Sequence, residues 1–205
     1  MELFSNGIES PLGEMLLVTD NQGIVRALDF TNHKVRLHRE LRERFDDVEL
    51  REGVETEAVK TISGKLDRYF KGDLTALDDI AVAADGSDFQ RQVWTALRKI
   101  PAGKTTSYGE LSRSLGHTDP RMAKDIGAAI GANPIAVIIP CHRVIGRDGA
   151  LKGYAWGLQR KYRLLIHEKA DVRRDGTAVL LGLSDASLLA AVRTSARTRP
   201  PRCGS

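Results

Sequence analysis

Five consecutive apolar residues, Ile135-Ala136-Val137-Ile138-Ile139, stand between Asn133-Pro134 and Pro140. A run this short cannot sustain a helix, and without alternation it leaves no face for water. It predicts a strand buried on both faces. The chain must therefore fold around it, and 205 residues suffice for one large domain or two small ones with a real core. Directly after the run come Pro140-Cys141-His142-Arg143, which bring a thiol and an imidazole to the end of a core element.

The chain has two cysteines, Cys141 and Cys203, the second in a tail rich in Pro and Arg. That number excludes a disulfide scaffold, and no Cys/His spacing matches a zinc site, so no metal is expected. Cys141 is then a reduced, free thiol that admits two readings. A cysteine at the end of an apolar strand is commonly packed and inert. A cysteine whose proton a histidine can accept is a nucleophile, given a third group to orient the histidine. Glu168, on the last expected helix, is the candidate for that third group. No stretch approaches the roughly 20 apolar residues of a membrane helix. Met1 to Gly7 lacks the basic start and apolar block of a signal peptide, so a cytoplasmic location is expected.

Charge is unevenly spread. Residues 1–85 carry eleven Lys/Arg against eighteen Asp/Glu, a net −7, and residues 86–205 carry twenty against nine, a net +11. A basic half of this kind fits either a polyanionic partner such as nucleic acid or a solubilising surface.

Local patterns divide the chain at the same place. Gly13–Thr19 and Gly23–Phe30, joined by Asp20-Asn21-Gln22-Gly23, predict a β-hairpin. Helical spacing covers Lys34–Phe45 and Thr56–Phe70, and Asp78–Val82 reads as a last short strand. The second half is mainly helical: Phe89–Ile100 behind a Ser87 or Asp88 cap, Tyr108–Leu115 behind Ser107, a helix from Pro120 to Gly131, and Leu158–Lys169. The middle pair, short and joined by His117-Thr118-Asp119, has a helix-turn-helix pattern. Its small residues Ala123, Gly127 and Ala128 suit close approach to a nucleic-acid groove or close helix packing equally. The expected organisation is an α+β N-terminal domain over 1–85, a helical domain over 86–170 and a flexible basic tail over 171–205.

Several segments, in this order, carry a family resemblance: Phe89-Gln90-Arg91-Gln92-Val93-Trp94, Ile100-Pro101-Ala102-Gly103-Lys104-Thr105-Thr106-Ser107-Tyr108-Gly109-Glu110-Leu111, Asn133-Pro134, Ile139-Pro140-Cys141-His142-Arg143-Val144-Ile145-Gly146, Gly153-Tyr154 and Leu164-Leu165-Ile166-His167-Glu168. The chain resembles the O6-alkylguanine-DNA alkyltransferases (methylated-DNA–protein-cysteine methyltransferases). The resemblance implies a ribonuclease-H-like first domain and a helix-turn-helix second domain. It implies repair of double-stranded DNA containing O6-alkylguanine, with O4-alkylthymine as a second candidate lesion, by irreversible transfer of the alkyl group to Cys141, without a cofactor and as a monomer. His142 would act through a water as base, Glu168 would orient it, and Asn133 would pin the turn that presents the cysteine. Tyr108 would donate to guanine N3. The carbonyls of Cys141 and Val144 and the amide of Ala155 would meet the base edge. Arg91, Arg121, Met122, Ala123, Lys124 and Gly127 would face DNA.

Two positions depart from the family pattern. Lys124 stands where the family has an arginine that fills the gap left by a flipped base, and lysine lacks the planar guanidinium. Arg121 could substitute for it from an altered helix phase. Trp156 stands in the pocket loop where many relatives have glycine, which predicts a narrower site that favours methyl over benzyl. The competing reading is a helix-turn-helix protein that senses alkyl lesions without repairing them; relatives of that kind lack the cysteine.

Overall fold

The computed structural model describes residues 2–33 and 49–171. The expected helix Lys34–Phe45 lies outside these, as does the tail from residue 172, with Cys203, Arg193, Arg197, Arg199 and Arg202. The hairpin is present as β2 (Met15–Asp20) and β3 (Val25–Phe30), antiparallel with a bulge at Val18/Thr19. Its turn is set by the Asp20 carboxylate, which accepts from the amides of Gln22 and Ile24, each at 2.9 Å, while Gly23 takes a φ of +78°. Two further strands complete the sheet: β1 (Glu2–Ile8), antiparallel to β2, and β4 (Glu49–Glu52), parallel to β1. The order is β3-β2-β1-β4.

Helix α1 (Glu57–Phe70) starts at Thr56, whose hydroxyl accepts from the Val59 amide, and buries Val59, Ile62, Leu66 and Tyr69 along one stripe. The segment Asp78–Val82 does not form the expected strand. It makes turns, with one parallel bridge from Val82 to Val25, and Arg98 donates to the carbonyls of Ile80 (2.9 Å) and Asp78 (2.8 Å). Those carbonyls have a guanidinium as partner, so the segment needs no ladder.

The second half follows as α2 (Asp88–Arg98), β5 (Thr106–Ser107), α3 (Tyr108–Ser114), α4 (Met122–Gly131), β6 (Val144–Ile145) and α5 (Leu158–His167). Ser87 and Ser107 cap α2 and α3 in capping boxes with Gln90 and Glu110. Pro120 precedes α4 in a turn instead of opening it. The Trp94 indole on α2 donates to the Ala129 carbonyl of α4 at 2.9 Å.

The apolar run Ile135–Ile139 is buried as expected but is not a strand. It folds as turns with Val137 at a φ of +65° and a single bridge from Ile135 to Leu28. Uniform apolarity reports burial on all sides and says nothing of backbone period. That bridge lies on the free edge of β3: the Leu28 amide donates to the Pro134 carbonyl (3.0 Å), and the Ala136 amide to the Leu28 carbonyl (2.8 Å). The edge strand is thereby covered by chain from the second half. Residues of both halves share one core cluster, from Met15 and Leu66 to Trp94, Ile139 and Cys141.

Candidate active site

Cys141 begins a 3₁₀ turn, Cys141–Arg143, and is 2% exposed. The turn is held from Asn133, just after α4. The Asn133 side-chain amide donates to the Ile139 carbonyl at 2.9 Å and to the Cys141 sulfur at 3.2 Å, and its oxygen accepts from the Ile135 amide at 2.9 Å. One buried asparagine thus fixes both ends of the apolar run and aims an N–H at the sulfur. Such a donor favours the thiolate over the thiol, the same logic by which a hydrogen bond to any charged form favours it.

The next residue, His142, is fully buried, and its Nε2 lies 2.9 Å from Oε1 of Glu168. Glu168 is the residue that ends α5, and it is 1% exposed despite its charge. Arg143 makes a fork on it, Nε to Oε2 at 2.9 Å and Nη2 to Oε1 at 2.7 Å. The Tyr69 hydroxyl, from α1, adds a bond to Oε1 at 2.7 Å, and the Gly103 amide one to Oε2 at 3.3 Å. Gly103 has a φ of +77°, and a Cβ there would come within 2.8 Å of the Glu168 carbonyl oxygen, so glycine is required.

Burial alone would raise the Glu168 carboxyl, but the bonds and charges of His142 and Arg143 outweigh it and hold it far below the usual carboxylate range. Burial pushes the His142 imidazole down, only partly offset by Glu168. Histidine is therefore neutral at pH 7 and, facing an ionised carboxylate, must carry its proton on Nε2. Its Nδ1 is buried, makes no hydrogen bond within the described residues, and is left as a base.

A loop, residues 152–157, is held by Tyr108 and Lys161. The Tyr108 hydroxyl, at the start of α3, donates to the Lys152 carbonyl at 2.9 Å. Lys161 of α5 has no exposure and donates to the carbonyls of Lys152 (2.7 Å) and Gly153 (3.0 Å). Burial pushes the Lys161 ammonium down to about 8, opposed by the charge of Cys141. Tyr108 is raised by burial and then by the Cys141 charge. A negative charge on the Cys141 sulfur would thus act on both groups. Tyr154 packs edge-on against Trp156, centroids 5.1 Å apart, and Trp156 is buried.

Comparison with known proteins decides what this arrangement belongs to. The profile described as 6-O-methylguanine DNA methyltransferase, DNA binding domain, matches residues 88–170, and that of the same family's ribonuclease-like domain matches residues 4–84. The chain belongs to the 6-O-methylguanine DNA methyltransferase family. It is similar to the methylated-DNA--protein-cysteine methyltransferase of Salmonella typhimurium, 43% identical over 171 residues that cover 82% of this chain and 96% of that one. A namesake from Methanosarcina acetivorans is 39% identical over 77% of this chain and 92% of its own. The solved structure of Mycobacterium tuberculosis OGT in complex with DNA superposes with a TM-score of 0.67 at 36% identity, covering 81% of this chain and 92% of that one. The α+β architecture expected from the sequence is thus the family's.

Within this family member, Asn133, Cys141, His142 and Glu168 converge as one buried cluster. Val144 is buried, and its amide bonds to the Cys141 carbonyl; Ala155 is half-buried in the loop. The residues expected to face DNA lie on the helices. Arg91, on α2, is exposed and bonds to Asp88 and the Gly86 carbonyl. Arg121 is 91% exposed and paired with Asp119 at 2.8 Å. Met122 and Ala123 are half-buried, Lys124 is exposed, and Gly127 lies against the Tyr108 ring, where a Cβ would sit 3.8 Å from it. Sequence reasoning missed Tyr69, Arg143 and Lys161. Tyr69 looked like one more apolar-face residue of α1. A signal existed for Lys161: it lies one turn before the inward Leu165, a core position for a charged residue.

Proposed function

We propose that this chain repairs alkylated double-stranded DNA by moving the alkyl group from guanine O6 to the sulfur of Cys141, once per molecule. The observation that carries it is the buried Asn133–Cys141 and His142–Glu168 pairing, which offers a thiol, an N–H donor to its anion and an oriented base. The Cys141 proton passes through a water to His142 Nδ1. The thiolate attacks the alkyl carbon in line, a carbon–sulfur bond forms, and the carbon–O6 electron pair leaves with guanine. Tyr108, redirected from the Lys152 carbonyl to N3, meets the charge that develops on the leaving base. The target atom is stacked in duplex DNA, so the nucleotide must be flipped out, with α3 and α4 serving as the helix-turn-helix that enters the groove. The thioether is stable, so the protein is consumed.

The division at residue 85 belongs to the same reading and is supported by the two family profiles, which meet near it. We place the activity in the cytoplasm, where a free thiol such as Cys141 stays reduced. Among the described residues no helix is long and apolar enough to cross a membrane. The deciding experiment incubates the protein with duplex DNA carrying O6-[methyl-labelled]guanine and maps the label by mass spectrometry. One label per chain on Cys141 is expected; binding without transfer would instead indicate a lesion sensor.

Two outcomes follow. Because burial lowers His142 below its ordinary value of about 6.5, its base form persists into mild acid. The single-turnover rate should therefore be flat through pH 7 and fall only below imidazole's ordinary value of about 6.5, and a fall centred above 7 would contradict the neutral imidazole. Lys124→Arg restores a planar cation that stacks on the orphaned base, an interaction worth about 1 kcal/mol, or about fivefold in the rate on duplex DNA. Stopped-time assays with duplex and single-stranded substrates read this directly, since the gain should be confined to the duplex.

A further inference from the structure

Trp156 is buried in the same loop as Tyr154, and its indole N–H reaches into the first half of the chain. It donates to a carboxylate oxygen of Asp29, on β3. Asp29 is 1% exposed, and the same oxygen accepts from the Phe30 amide at 2.7 Å. A carboxylate acceptor makes the indole bond charge-assisted and directional. Arg160 strengthens the attachment: it donates to the Leu12 carbonyl at 3.1 Å and the Trp156 carbonyl at 3.2 Å, and its guanidinium sits 4.0 Å from the centre of the Phe30 ring.

The position of Asp29 on its strand adds to this. The preceding residue, Leu28, is the one whose backbone holds Pro134 and Ala136 in the run that ends at Cys141. Consecutive residues of β3 therefore grip the two sides of the site, Leu28 the nucleophile's segment and Asp29 the loop. From the indole the contact continues to the Tyr154 ring, whose buried phenol is close enough to Cys141 to feel its charge.

We propose that Asp29 is a specificity-determining residue for the alkyl group, holding the Trp156 indole in place so that the loop closes on a small substituent. The proposal rests on the alkyl-transfer reading above. A freed indole would let the loop open and admit bulkier groups, so the N-terminal half would set a property of the reaction without touching the substrate.

The test compares single-turnover rates on oligonucleotides bearing O6-methylguanine and O6-benzylguanine, in the full-length chain. Asp29→Ser keeps a short acceptor for the Phe30 amide but cannot reach the indole; Asp29→Asn keeps an acceptor for both. The benzyl-to-methyl ratio should rise by about tenfold in Asp29→Ser, as expected for a pocket that gains room for extra carbon, and return toward wild type in Asp29→Asn. Trp156→Phe, which lacks the N–H, should raise the ratio as well, and adding Asp29→Ser to it should change nothing more. An unchanged ratio in Asp29→Ser, a parallel fall of both rates, or equal effects of Asp29→Ser with and without Trp156 would overturn the proposal. Label failing to reach wild-type Cys141 from either substrate would overturn the alkyl-transfer reading itself, and this one with it.

Discussion

Glu168→Gln is expected to cost about 3–5 kcal/mol of folding stability and to abolish alkyl transfer at the same time. The reason is the company Glu168 keeps. Its two oxygens accept from the Arg143 fork, His142, Tyr69 and the Gly103 amide, and the Arg143, His142 and Tyr69 side chains are all buried. Removing the charge leaves the Arg143 guanidinium, 6% exposed, without its counter-ion, and a buried unpaired charge costs far more than the pair contributes. The new amide N–H₂ would also point at donors. Spread over a chain of this size, the loss should lower Tm by roughly 6–20 °C, read by calorimetry or circular dichroism. A variant with wild-type Tm would show that the cluster is not the structural keystone its geometry indicates.

The pH dependence of stability provides an independent check on the same cluster. The Glu168 carboxyl is depressed in the folded state, so its contribution is fully present above the unfolded value of about 4.3 and is lost as pH falls toward the folded one. His142 is also depressed, so the unfolded chain takes up its proton first, and stability begins to fall below about 6.5. Both groups act in the same direction, making the wild type acid-sensitive. Glu168→Gln removes the carboxylate's share and should flatten the curve below pH 5.

Much of this cluster could be read from the sequence, because the resemblance segments named Asn133, Cys141, His142, Tyr108 and Glu168 as a set. Helices were legible too, where capping and spacing agree: Thr56 with α1, Ser87 with α2 and Ser107 with α3. What escaped was long-range partnership. Nothing local tells Tyr69 from its neighbours on the buried face of α1, since its hydroxyl acquires meaning only when Glu168, 99 residues on, arrives beside it. Asp29 stands in an alternating strand pattern that marks no partner for it, and it is buried against a tryptophan 127 residues on. The run Ile135–Ile139 announced burial but not backbone shape. Several of its carbonyls and amides are satisfied by Asn133, Leu28 and its own turns, a choice made by tertiary neighbours after the pattern has said all it can.

Cys141→Ser should separate chemistry from folding, the opposite of Glu168→Gln. The site tolerates the exchange physically: a hydroxyl is slightly smaller, and the Asn133 amide that donates to sulfur at 3.2 Å can donate to oxygen. The expected stability cost is about 1 kcal/mol. Transfer should drop by on the order of 10⁴-fold or more, because a serine hydroxyl is a far weaker acid than a thiol and neutral His142 cannot hold enough of its proton away. Attack at a saturated alkyl carbon also favours the polarisable sulfur anion over oxygen. The residues proposed to meet DNA belong to α2 and α4, not to the Cys141–Arg143 turn, so lesion binding should persist. A gel-shift assay with O6-methylguanine duplex would then show a complex that forms and does not proceed, while wild type converts to the labelled protein and releases repaired DNA. If Cys141→Ser still acquired label, the acceptor would be another residue, and the buried cluster would need a different role.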